Sequence, residues 1–265
     1  MVAGDDSAQI ELRLEGRVAI ITIANKKRRN AFTFEMLKEI PKAFDAVERN
    51  PYVGAVVLEG AGDIAFASGD DISEFDRYRS TPADEAVFMA TALAAFSSPI
   101  KCAKPVVAAV SGFCMGGGMQ LAAACDARIC GRNAKFAVPA SRLGVGYPVD
   151  GIARFVHLIG AAHTSKIFIS GRTFSCEEMK AVGFVTEMVE DQHAKSTAYR
   201  YAAELAELAP LSLHALKVSI AACAGGGEEK RRKALELIAQ CARSADFIEG
   251  RNAFLQKRKP LFNGT

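Results

Sequence analysis

Residues 105–126 constrain the fold of this chain more than any other stretch. Pro105 to Val110 is an apolar run of the length and composition of a buried strand. Ser111-Gly112-Phe113-Cys114-Met115-Gly116-Gly117-Gly118 follows as a glycine-rich turn, and Met119-Gln120-Leu121-Ala122-Ala123-Ala124 reads as a helix of small residues. Glycine lets backbone come close to a bound group and leaves bare N–H donors to aim at it.

The segments on either side repeat the alternation of strand and helix. Ile10–Leu14 and Val18–Ala24 read as a hairpin-like strand pair around Glu15-Gly16. From Thr33 to Glu48, Phe34, Leu37, Ile40, Ala43, Phe44 and Val47 recur at helical spacing, with Thr33 as the expected cap and a kink expected at Pro41. Ala55–Leu58 is a short buried strand, and a loop opens at Gly60-Ala61-Gly62 and runs to Asp71. Ala83–Phe96 is helical, and Val106–Val110, Ala127–Cys130 and Lys135–Val138 are further strands. Strand, helix, strand in this order implies parallel pairing through crossovers. From Gly151 onward the pattern reads as helical throughout, over 152–160, 162–169, 194–209, 212–222 and 228–242, with Gly225-Gly226-Gly227 as a hinge. The expected organisation is an α/β core over 1–190 and a helical region over 191–265 serving assembly.

Several classes are disfavoured by composition. A net charge of +3 over 265 residues is too small to imply a nucleic-acid partner. The run Lys26-Lys27-Arg28-Arg29 lacks interleaved aromatics and suits a solvated loop or a phosphate contact. The seven cysteines are odd in number and form no C-x-x-C, so reduced, mostly buried thiols are expected, and no metal site, since the four histidines show no ligand spacing with them. No uninterrupted apolar stretch reaches membrane-spanning length, and Met1 to Gln9 is acidic and polar, unlike a signal peptide. A cytoplasmic protein without a membrane partner is expected.

Three separated segments carry a resemblance: Phe66-Ala67-Ser68-Gly69-Asp70-Asp71-Ile72, Ser111 to Gly118, and Asp246 to Pro260. Together with Lys27 to Ala31, Phe136–Pro139, Ser170-Gly171-Arg172 and Ala181–Val185, in this order, they resemble the crotonase (enoyl-CoA hydratase/isomerase) superfamily over nearly the whole chain. The resemblance implies a crotonase-like spiral of β-β-α turns with C-terminal trimerisation helices, a homotrimer or dimer of trimers, an acyl-CoA thioester substrate, and no cofactor beyond the CoA moiety. It implies that the thioester oxygen is held by the backbone N–H groups of Asp70 and Gly117, stabilising an enolate. It also implies CoA contacts at Ala67, Asp71 and Ile72 for the adenine, at Arg28 and Ala31 for pantetheine and phosphates, and at Phe254 and Lys257 from the C-terminal helices of a neighbouring subunit. Taken as residues alone, Asp70-Asp71 also suits a turn and cap pair, and Lys257 a solvated lysine.

One departure stands out within that resemblance. A hydratase uses two carboxylates around one water, and the matching positions are Gln120 and Ala140. Each general acid or base contributes about 10²–10⁴ in rate, so ordinary water addition should be poor unless another group substitutes. The candidates are Tyr147, which falls where malonyl-type decarboxylases of the superfamily carry a tyrosine beside the acyl group, and Asp150 as a proton-shuttling base. Their plainer readings are an aromatic packed in a turn and a helix N-cap. Other classes remain open: a malonyl-type acyl-CoA decarboxylase, a CoA-ester-binding protein without turnover, and an NAD(P)-dependent oxidoreductase. The last rests on Gly112-x-x-x-Gly116-x-Gly118 after a strand; against it, the chain has no Tyr-x-x-x-Lys and no acidic residue at the end of Ala127–Cys130.

Overall fold

The computed structural model describes residues 7–265. Most of the Met1 to Gln9 stretch read above as unlike a signal peptide therefore lies outside the described residues. Two sheets organise the chain. The larger has six strands in the order β1-β2-β3-β5-β7-β10: β1 (Gln9–Glu15), β2 (Val18–Ala24), β3 (Ala55–Gly60), β5 (Val106–Val110), β7 (Ala127–Gly131) and β10 (Glu187–Val189). β1 pairs antiparallel to β2, and every other neighbour in this sheet is parallel. The smaller sheet runs β4 (Ala65–Ala67), β6 (Phe113–Met115), β8 (Lys135–Ala137) and β9 (Phe174–Ser175). Each of β3, β5 and β7 is followed within a few residues by a strand of the second sheet, so the chain winds from one sheet to the other before each crossover.

The sequence expectations hold for the long elements. The helix Phe34–Arg49 starts where Thr33 accepts a hydrogen bond from the Met36 amide and runs on through Pro41. Pro82–Lys101 is longer than the 83–96 expected, with a Thr81–Asp84 capping box at its start. The strand expected at 135–138 is present as Lys135–Ala137. One correction follows: the region beyond Gly151 is not all helical, because β9 and β10 pair with β8 and β7. Strands of two or three residues are too short to display an alternation; pairing, not local sequence, makes them. The segment Val149–Ser170 is two helices that meet at Gly160, where φ is +79°.

The main sheet is covered on both faces. One carries the large core, in which Phe32, Phe66, Phe136, Phe155 and Phe184 are fully buried and Phe136 meets Phe184 edge-on at 5.6 Å. On the other, Ala198, Ala202 and Ala206 of the helix Ala194–Leu205 and its end lie against Val18, Ile20, Val57, Val107, Ala109 and Ile129. That helix falls in the region assigned to assembly from sequence, yet its small-residue stripe packs onto the sheet. All seven cysteines are free thiols: Cys102, Cys114, Cys125, Cys130 and Cys176 are buried, Cys241 is partly exposed and Cys223 is exposed. Among the described residues no single helix is long and apolar enough to cross a membrane.

Candidate active site

Two loops meet at the C-terminal end of β4. Ser68 donates its amide to the Arg29 carbonyl (3.1 Å) and its hydroxyl to the Arg28 carbonyl (2.9 Å). The Phe32 amide donates to the Gly69 carbonyl and the Asp71 amide to the Phe32 carbonyl, both at 2.8 Å. Asn30, buried, holds the first loop in place by donating to the Ala65 carbonyl (2.7 Å) and accepting from the Asn25 amide (3.1 Å). Because Phe32 engages residues 69 and 71, the amide of Asp70 between them faces the other way, as alternation along a parallel ladder requires. Gly69 reaches this geometry with φ at +96°.

The neighbouring strand β6 supplies the second amide. Gly116 donates to the Ala137 carbonyl at 2.8 Å, and Gly117 then opens the helix Gly117–Ala123, so its own N–H has no acceptor within that helix. The two loops are close: a Cβ built on Gly69 would lie 3.7 Å from the Gly117 nitrogen, and one built on Gly118 would lie 2.5 Å from the Ala67 carbonyl oxygen. A side chain is excluded by backbone at Gly118 and disfavoured at Gly69 by its positive φ.

Asp70 and Gly117 both border a cavity of about 50 Å³. Gln120, Val145, Gly146, Tyr147 and Pro148 line it too, together with Arg79 and with Phe88, Met89, Ala92, Leu93 and Phe96 of the helix Pro82–Lys101. The charged groups here are arranged unequally. Arg79 is clamped by Glu85 in two hydrogen bonds (Nε to Oε2 2.5 Å, Nη2 to Oε1 2.6 Å) and its guanidinium lies over Phe75 and Phe88 at 4.4 and 4.8 Å. Asp70 Oδ1 is sealed from solvent and has no hydrogen-bond partner. Burial pushes the Asp70 carboxyl up to about 6, with Arg79 drawing it down and Glu85 raising it further. Burial first, and the Asp70 charge second, also push the Tyr147 phenol well above its usual range, so it stays a donor. Its hydroxyl is 3.4 Å from the Gly116 carbonyl and its ring meets Phe168 edge-on at 5.0 Å.

The structure thus brings Asp70, Gly117, Tyr147 and Gln120 together. Asp150 lies outside the cavity lining, exposed in the first turn of Val149–Ser170, where Pro148 and not Asp150 is the N-cap. Ala140 begins the short helix Ala140–Leu143. Arg28, Ala31, Ala67, Asp71 and Ile72 lie on the two docked loops: Arg28 and Ile72 are exposed, Ala31 and Ala67 buried, and the Asp71 carboxylate accepts from the Ser73 amide at 3.1 Å. Phe254, 84% exposed, and Lys257, at the left-handed end of Ala245–Gln256, are not among the lining residues. The Gly112 to Gly118 turn passes through β6 of the second sheet before its helix, so it is not the direct strand-to-helix turn of a dinucleotide site. Sequence reasoning missed Arg79, Glu85 and the aromatic wall. The available signal was Phe88, Ala92 and Phe96 at i, i+4, i+8, one face of a helix.

Comparison with known proteins agrees with this architecture. A profile of the enoyl-CoA hydratase/isomerase family matches residues 13–265. The chain is 31% identical to a short-chain-enoyl-CoA hydratase of Clostridium acetobutylicum, over 94% of this chain and 95% of that protein. It is 31% identical to a crotonyl-CoA hydratase of Syntrophomonas wolfei, over 96% and 97% respectively. A crystal structure described as an enoyl-CoA hydratase/carnithine racemase from Magnetospirillum magneticum superposes with a TM-score of 0.90 at 31% identity, covering 97% of this chain and 96% of that one. With the two-sheet spiral and the paired loops in place, the chain belongs to the enoyl-CoA hydratase/isomerase family of the crotonase superfamily.

Proposed function

We propose that this chain is an enzyme that acts on an acyl-CoA thioester through an enolate held by the backbone amides of Asp70 and Gly117. One observation carries the reading: two amides from adjacent strand ends, one turned away from its ladder and one at the start of a helix, border the same small, largely apolar cavity. Preorganised N–H donors in a site with little water stabilise charge that develops on the thioester oxygen. The chemistry calls for no group beyond the thioester itself. The exposed edges of the docked loops, with Arg28, Ala31, Ala67, Asp71 and Ile72, take the CoA portion, and Phe254 and Lys257 reach it from a neighbouring copy in a trimer or dimer of trimers.

Water addition by two carboxylates is disfavoured here, since Gln120 lines the cavity and residue 140 is alanine. A second reading, malonyl-type decarboxylation, is favoured by Tyr147 lining the same cavity: loss of CO₂ makes the enolate without a base, and the phenol orients the departing carboxylate. A third, thioester binding without turnover, predicts affinity alone.

Crotonyl-CoA and methylmalonyl-CoA incubated separately and followed by mass spectrometry distinguish these. Loss of CO₂ from the second assigns Tyr147 its role; gain of water on the first assigns a substitute carboxyl. In either reaction Gly117→Pro, which deletes one donor at the first helical position and brings a Cβ to 2.6 Å from the Phe96 ring, is expected to lower turnover at least about 10²–10³-fold. Unchanged turnover in that variant refutes the assignment.

A further inference from the structure

The cavity contains one titratable group that nothing in the fold employs. Buried polar atoms in native proteins nearly always have a partner, yet Asp70 Oδ1 has none. It does not face away from the site: it lies 3.1 Å from where a Cβ on Gly117 would be, directly beside the second oxyanion donor. The charged groups around it are otherwise engaged. Arg79 is held bidentate by Glu85, Tyr147 stays protonated, and Gln120 has no proton to give as an acid.

Resting on the acyl-thioester reading above, we propose that the Asp70 side chain is the proton carrier of this site, exchanging one proton with the α-carbon of the acyl group whose carbonyl its own amide binds. In one direction the Asp70 carboxylate takes the α-proton. The C–H electron pair becomes the C=C bond of the enolate, and the carbonyl π pair moves onto the thioester oxygen. In the other direction the carboxylic acid returns a proton to carbon and the carbonyl re-forms. The single negative charge moves from carboxylate to oxyanion and back, so the cavity never holds two anions side by side. This removes the repulsion that a permanent carboxylate at this position would bring to an enolate. It also places base and oxyanion donor on one residue, within the reach of adjacent substrate atoms. The cavity has room for the water that lets the carrier exchange with solvent.

Butyryl-CoA in D₂O tests this, because a saturated acyl group offers neither water addition nor loss of CO₂. Mass spectrometry of wild type is expected to show gain of one deuteron at the α-carbon. The rate should rise as pH passes through about 6, where the carboxylate forms in the presence of Arg79, Glu85 and Tyr147. Asp70→Asn keeps the backbone amide, so calorimetric affinity for butyryl-CoA is expected to stay within a few fold while exchange falls about 10²-fold or more. Retained exchange in Asp70→Asn, or wild-type binding without exchange, overturns the proposal and leaves the acyl-thioester reading standing. Absence of wild-type binding overturns both, and retained affinity in the variant shows that lost exchange is not lost folding.

Discussion

Carboxylate oxygens taken out of water in this molecule are treated in opposite ways. Asp246, 4% exposed, accepts the Asn263 amide on one oxygen and the Gly264 amide on the other, each at 2.9 Å. It ties the end of the chain to the start of the helix Ala245–Gln256, whose Ser244 cap binds the Phe247 amide. Glu59, also buried, follows the same pattern, accepting from the Thr22 hydroxyl. Asp70 has an oxygen with no partner at all. The chain satisfies its buried carboxylates where they serve architecture, so the orphan beside Gly117 marks a place kept for something that arrives.

The largest break in that comparison comes from pH. The Asp70 carboxyl is raised to about 6 in the folded chain, above an unfolded value of about 3.9. Between those values the folded state holds a proton that the unfolded state has released. Its contribution is therefore complete below about pH 4 and is lost as pH rises through 6. Relative to Asp70→Asn, wild type should lose on the order of 3 kcal/mol across that window and stay level above it. Parallel denaturation curves of the two proteins at pH 4 and pH 8 measure the difference, and curves that keep a constant separation would mean the carboxyl is not raised.

Next in size is Asp246→Ala. It removes the charged acceptor of two part-buried amides, each such hydrogen bond contributing about 1–1.5 kcal/mol. Stability should fall by about 2–3 kcal/mol in urea melts with turnover retained, the reverse of the pattern at Asp70. The smallest effect calibrates the method. Thr33→Ala removes the cap on the Met36 amide and should cost about 1 kcal/mol at every pH.

These differences also explain what was readable from sequence. The helix Phe34–Arg49 announces itself through its cap and a 3.6-residue apolar stripe, both local properties. The second sheet does not: β4, β6 and β8 have three residues each, and their pairing is set by partners tens of residues away. The glycines around the candidate site were legible as ordered motifs, and two have a plain backbone reason: Gly69 adopts a φ of +96°, and a Cβ on Gly118 would meet the Ala67 carbonyl oxygen at 2.5 Å. The direction of the Asp70 side chain was not. Asp70 shares its cavity with Phe96 and with Arg79, whose clamp by Glu85 joins a loop residue to a helix six positions later with no periodicity to reveal it.

The distribution of thiols gives this fold a built-in set of clocks. Cys102 and Cys125 are pushed up to about 12 by burial and sit at different points of the main core, while Cys223 is open to reagent. Alkylation proceeds through the thiolate, so a buried sulfur reacts only when its surroundings open. Labelling at Cys223 therefore marks time from the start, and each later adduct dates the opening of one part of that core. Cys114, on the strand that leads into Gly116 and Gly117, reports on the site itself. Occupancy of that site becomes visible as a delay at a single sulfur, without any engineered probe.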